Sequence, residues 1–336
     1  MNQTRLSQIQ SFIQKVSFTT HNLHSRVHSL RSFYFPSTLC YVKREDELSF
    51  GISGTKLRKY ASLIPNLKQK GIEEVILIGG TFSNNILAGV QVLVENGIKP
   101  TLFLLGPPSS EKIQGNYLFT NLFITPSDIH WIARQDWKQV TTYVQSYAEQ
   151  QVKKGIRTFI LREGGSVTEA LPGALTLGLD IIRNEKEQNL NFDHIWIDSG
   201  TGFTAASLIA AFHYLQKPTQ IHVLLLADDE TYFRNQVAIW QQELERLLGN
   251  CTDNSSPQFK CYIPSCGRSF GSTNATAINT IKEIAKTEGF LIDPIYSAKL
   301  FYEAKRLIPS LELLGNHLII HSGGALTLSG FQDLLK

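Results

Sequence analysis

Residues 194–216 read HIWIDSGTGFTAASLIAAFHYLQ. An apolar, β-branched run ends on Asp198 and Ser199, two glycines bracket Thr201, and an alanine-rich run of helix formers follows. That pattern predicts a strand, a tight turn and a helix. Such a turn presents free backbone N–H groups at a helix N-terminus, where amides and helix dipole together stabilise an anion. The amides of Gly200, Thr201, Gly202, Phe203 and Thr204, with the hydroxyls of Thr201 and Thr204, are therefore a candidate phosphate cradle. Read as G-x-G-x-x-A, the same residues also fit a dinucleotide fingerprint, with Asp228 and Asp229 about where a ribose-binding acid belongs. On these residues alone both readings stay open.

Three further turns repeat the pattern: IGGTFSNN (78–85), LREGGSVTEA (161–170) and IHSGGAL (320–326). In open α/β sheets ligands gather at the carboxyl ends of strands, so four such turns predict a ligand-binding rim. Between them the periodicity alternates. KLRKYASLIPNLKQKG (56–71) has helical spacing and stops at Gly71, EEVILIGG (73–80) is a strand, SNNILAGVQVLVENG (83–97) is a helix, and PTLFLLG (100–106) is the next strand. This alternation predicts an α/β fold with a largely parallel sheet. The polar stretch 250–274 predicts a surface loop with room for one strand.

The 336 residues are 42% hydrophobic and 18% charged, with a formal net charge of +3. That balance supplies no strong field for nucleic acid or an anionic membrane. Cys40, Cys251, Cys261 and Cys266 form no C-x-x-C pair, which fits reduced thiols, and no metal site is expected. MNQTRLSQIQSFIQKV lacks the basic-then-apolar order of a signal peptide, and no run is long enough to span a bilayer. A cytoplasmic protein is the expectation. Ser53 and Lys56 match S-x-x-K, but the S-D-N and K-T-G partners of that motif are missing. By position alone Lys56, Lys59 and Lys68 are helix lysines facing solvent.

The ordered motifs resemble a known family. KREDELSFGISGTKLRKYASLI is similar to the KRED…GGNKxRKLEYLL segment of the D-cysteine desulfhydrase and 1-aminocyclopropane-1-carboxylate deaminase family. GGTFSNNILAG resembles GGxQSNHxRxxA, GNYLF resembles GNxLL, and REGGSVTEALPGA resembles PxGGSxxxGxxGY. DSGTGFTAASL resembles AxGSGGTxAGL, DPIYSAKLFY resembles DPVYTGKAMxG, and IIHSGGAL resembles FxHTGGxxGL. The resemblance runs over roughly residues 40–330 in the family's order. It implies two open, twisted, mostly parallel sheets flanked by helices, the tryptophan synthase β-like fold type II. It also implies pyridoxal 5′-phosphate as cofactor, a small amino acid as substrate, and a homodimer. Residues 57–165 would form a small domain on a larger one built from 1–56 and 166–336.

Carried over by position, the resemblance makes Lys56 the Schiff-base lysine. Asn84 would hydrogen-bond the cofactor's phenolic oxygen. Ser83 and Asn85, with Asn84, would bind the substrate carboxylate, and Lys56 or Ser83 would take the α-proton. Residues 200–204 would hold the cofactor phosphate, and Tyr296 is the catalytic tyrosine. Ser297 stands where the desulfhydrases have threonine and the deaminases glutamate, facing the pyridine nitrogen; Ser322 is a second hydroxyl for that place. An acid there deepens the electron sink, whereas a hydroxyl suits β-elimination. Phe270 replaces a second active-site tyrosine, Thr55 an asparagine, and Phe203 a glycine. The expected activity is β-elimination giving a 2-oxo acid and ammonia. Its alternatives are 1-aminocyclopropane-1-carboxylate deamination, a non-catalytic cofactor-binding relative, or the dinucleotide-binding oxidoreductase.

Overall fold

The structure, a computed structural model, describes residues 1–16, 21–106, 113–249, 256–267 and 271–335. Its helices are α1 (Gln3–Val16), α2 (Lys56–Gln69), α3 (Asn84–Glu95), α4 (Asn116–Thr120), α5 (Val140–Lys153) and α6 (Leu171–Gln188). They continue with α7 (Phe203–Tyr214), α8 (Glu230–Leu248), α9 (Ala275–Glu288), α10 (Ser297–Ser310) and α11 (Gln332–Leu335). Strands β1 (Val27–Ser29) and β2 (Thr38–Arg44) open the chain. β3 (Glu74–Gly79), β4 (Lys99–Leu105), β5 (Ile129–Ile132) and β6 (Thr158–Leu161) follow. β7 (His194–Ser199), β8 (Gln220–Leu225), β9 (Phe259–Tyr262) and β10 (Gly315–His321) complete the set.

The strands form two sheets, ordered β1-β2-β10-β7-β8-β9 and β5-β4-β3-β6. Every pairing is parallel except that of the edge strand β1 with β2. The fold is thus the two-sheet α/β architecture the motifs implied. After Glu74, β3 reads as an apolar run because it is buried along its whole length, as a parallel strand covered by helices on both faces must be. α7 is buried nearly all round for the same reason. α1 is an element the sequence reading did not expect. Its Ile9 and Ile13, one turn apart, enter the core shared by α6, α7 and β7.

A buried charge cluster fixes the start of α2. Arg58 donates to Glu45 (2.5 and 2.7 Å) and to Asp180 of α6 (2.8 Å). Lys43 of β2 donates to Asp180 (2.6 Å) and Asn184 (2.7 Å). Two cations and two anions balance, and all four side chains are almost fully buried. Burial works to raise Glu45, but Arg58, Lys43 and Ser25 together outweigh it and hold the carboxyl below its ordinary range. The cluster locks the first turn of α2, two residues after Lys56, to both β2 and α6.

Candidate active site

A cavity of about 860 Å³ opens at the carboxyl ends of the strands, with walls from both sheets. Lys56 enters it from the first residue of α2. The approach is set by Gly54, whose φ of +52° and contact with the Ser322 carbonyl leave no room for a side chain. Thr55 N–H donates to that carbonyl (3.1 Å), tying the start of α2 to the end of β10. Burial lowers the Lys56 ammonium below its ordinary pKa, against the pull of Asp198 and Asp293.

The turn after β7 lines the same cavity from Gly200 to Thr204. Gly202 adopts φ +86° and caps α7. Ala206 donates to the Gly202 carbonyl (2.9 Å), so the amides just ahead of it lie in the unpaired first turn of the helix. Phe203 fits in place of the expected glycine because its ring turns into the core, edge-on to Trp240 at 4.6 Å, and leaves only its backbone in the turn. Lys59 corrects the sequence reading. It is 4% exposed, lines the cavity, donates to the Gly164 carbonyl (2.5 Å) and sits 5.2 Å from the Phe203 ring centre. Burial, and then the charge of Lys56, lowers it to about 7. The signal was available: Lys56 and Lys59 are three residues apart on one helix and share a face.

Ser83 caps α3, its hydroxyl accepting from Ile86 N–H (3.2 Å). Asn84 accepts through Oδ1 from Asn116 (2.7 Å) and Thr327 (3.2 Å), which leaves its NH₂ for a ligand. Asn85 keeps a buried Oδ1 with no partner among the described residues, as do Thr55 Oγ1 and Asp198 Oδ1. Ser83, Asn84 and Asn85 all line the cavity, as expected.

Tyr296 lines it too, its ring centre 5.8 Å from Lys56 Nζ. Burial, with Asp293 and Asp198 nearby, pushes the phenol far up, so it stays protonated. Ser297 is placed otherwise. It is fully buried outside the cavity lining, with its hydroxyl 3.4 Å from His321 Nδ1 and from the Gly323 carbonyl. Ser322 does line the cavity, and so does Asp198, a residue the sequence reading passed over. Phe270 lies outside the described residues. Cys40, Cys261 and Cys266 are free thiols, and no group of His, Cys, Asp or Glu among the described residues is arranged to hold a metal. No described helix is long and apolar enough to cross a membrane.

No protein-family profile matches the chain. A protein of Pyrococcus furiosus named a putative 1-aminocyclopropane-1-carboxylate deaminase is 26% identical over 286 residues, 84% of each chain. A D-cysteine desulfhydrase of Yersinia pestis is 26% identical over 298 residues, 87% of this chain and 88% of the other. The crystal structure of a deaminase homologue superposes with a TM-score of 0.84 at 22% identity, covering 98% of both chains. Escherichia coli diaminopropionate ammonia lyase gives 0.64 at 14% identity, covering 99% of this chain and 91% of the other. The chain is a relative of the 1-aminocyclopropane-1-carboxylate deaminases and D-cysteine desulfhydrases, with the fold of the type II pyridoxal-phosphate enzymes.

Proposed function

We propose that this chain is a pyridoxal-phosphate-dependent lyase of a small amino acid, acting by β-elimination. A cysteine-type substrate and one water would give a 2-oxo acid, ammonia and the free thiol. One observation carries the reading: Lys56 and the anion-binding turn 200–204 line a single cavity, with Lys59 and the free Asn84 NH₂ between the same walls. The residues present fit the cofactor. The turn's amides and Lys59 suit a phosphate dianion, Asn84 can donate to a phenolate, and Lys56 is an amine whose charged form burial disfavours. When bound, the cofactor supplies an electron sink for charge developing at the substrate α-carbon.

The chain's own groups divide the remaining work. Lys56 Nζ, neutral, accepts the proton from the α-carbon. The first turn of α3, with its N-terminal backbone amides and the Ser83 hydroxyl, orients a carboxylate at a helix N-terminus. Tyr296 keeps its phenolic proton and can donate a hydrogen bond to a leaving thiolate. Ring-opening deamination is the second reading, favoured by the acid Asp198 in the cavity wall.

The test loads purified protein with pyridoxal phosphate, reduces it with borohydride and maps the adduct. It then scores D- and L-cysteine, D- and L-serine and 1-aminocyclopropane-1-carboxylate for ammonia. We expect the adduct on Lys56, ammonia from a cysteine enantiomer, and loss of both in Lys56→Ala. No adduct at Lys56 sinks the cofactor reading. An adduct without ammonia from any substrate leaves a non-catalytic binder, and ammonia from the cyclopropane alone leaves the deaminase.

A further inference from the structure

Asp198 is the penultimate residue of β7, two before Gly200, where the resembling motif AxGSGGTxAGL has alanine. An acid here is costly. Its Oδ1 is sealed from solvent and has no hydrogen-bond partner among the described residues. The side chain lines the cavity beside Lys56, Tyr296 and Ser322, and the Ser322 hydroxyl bonds it. Asp293 lies nearby, but it already accepts from the amides of Ile295, Tyr296 and Ser297 (3.1, 3.1 and 2.7 Å). A buried carboxylate left without a cation or a proton is strongly disfavoured. Lys56 offsets Asp198 only while its ammonium is free. Once Lys56 is bonded to the cofactor, its charge is balanced by the cofactor's own phenolate. Of the cofactor's polar vertices, on the pyridoxal-phosphate reading the phosphate would belong to the turn and Lys59, the aldehyde carbon to Lys56, and the phenolic oxygen to Asn84. The ring nitrogen is the vertex left, and it is the one that can share a proton with a carboxylate. Ser297 does not compete for it, since its hydroxyl is held by His321 and Gly323 outside the cavity lining.

We propose that Asp198, held by Ser322, is the acid that bonds the ring nitrogen of the bound cofactor and keeps it protonated. The inference rests on the pyridoxal-phosphate reading. It makes Asp198 the source of the strong electron sink that Ser297 cannot supply, and so extends the chemistry open to the site towards ring-opening substrates.

The test is the ¹⁵N resonance of ring-labelled pyridoxal phosphate on the loaded protein, with no substrate present. In the wild type we expect a pyridinium shift at neutral pH. In Asp198→Asn we expect the shift of an unprotonated pyridine, in Asp198→Glu recovery of the pyridinium, and in Ser297→Ala no change from wild type. Asp198→Ser repeats the measurement if the asparagine variant does not fold. An unprotonated nitrogen in the wild type overturns the proposal, as does a pyridinium that persists in both Asp198→Asn and Asp198→Ser. Failure of the cofactor reading is distinct: borohydride then fixes nothing on Lys56, and no bound ¹⁵N signal is seen at all.

Discussion

Lys59 shows how much one side chain can couple binding to pH. Burial, and secondarily Lys56, draws it to about 7, so the ligand-free protein loses this charge just above neutrality. A bound phosphate dianion raises it again. Binding therefore takes up a proton above about pH 7, and affinity falls as pH rises, by up to about tenfold per unit for one linked proton. Pyridoxine 5′-phosphate lacks the aldehyde and isolates this effect from Lys56. Its dissociation constant, followed by tryptophan fluorescence, is expected to climb with pH in the wild type and to be weaker but flat in Lys59→Gln. Equal slopes in the two proteins would exclude the coupling. Lys59 escaped the sequence reading because a lysine in a first helical turn is usually solvated. What overrode that expectation was the surrounding helix, which is buried from Leu57 to Ile64. Asp198 escaped for another reason. A residue near a strand's end points to one side of the sheet or the other, and only the packed turn decides which.

At the scale of elements, neighbouring strands β10, β7 and β8 stack His317, His194, Trp196 and His222 across the large sheet. Trp196 donates to His317 (3.0 Å), and His222 lies 3.0 Å from both His194 and the Tyr262 hydroxyl. Burial, and then His194, lowers His222 to about 3 and His317 to about 4. Both lie below the unfolded value near 6.5, so between these limits the unfolded chain binds more protons. Stability is then full above pH 6.5 and is lost as pH falls, by about 1.4 kcal/mol per unit for each histidine. Urea midpoints measured from pH 7 down to about 4.5 should trace that slope, and His222→Phe should make it shallower. The cluster at the start of α2 acts through charge instead. Arg58→Ala leaves Glu45 and Asp180 buried with one cation fewer, and should cost about 3–5 kcal/mol in denaturant unfolding. Arg58→Lys, which cannot make the forked contact with Glu45, should recover only part of it. Neither feature has a sequence signature, since each joins strands and helices far apart in the chain.

For the molecule as a whole, the site draws on both sheets, so a ligand that fills it binds only the assembled fold. Pyridoxal phosphate at about 100 times its dissociation constant should add about 2.7 kcal/mol, read as a rise in thermal midpoint that Lys56→Ala diminishes. The parts visible in the sequence were those whose physics is local. Glycine turns, helix caps and the apolar run of β3 each report on a few consecutive residues. The strand order was not visible, because β2 and β10 pair across almost the full length of the chain. That pairing has a consequence for synthesis. Lys56 leaves the ribosome some two hundred and sixty residues before Ser322, whose carbonyl receives the Thr55 amide. Throughout that interval the nascent chain carries Lys56 without the strand that seats it. On the function proposed above, cofactor capture would wait for β10 to emerge, and a truncation that removes β10 is expected to yield a protein that does not hold the cofactor.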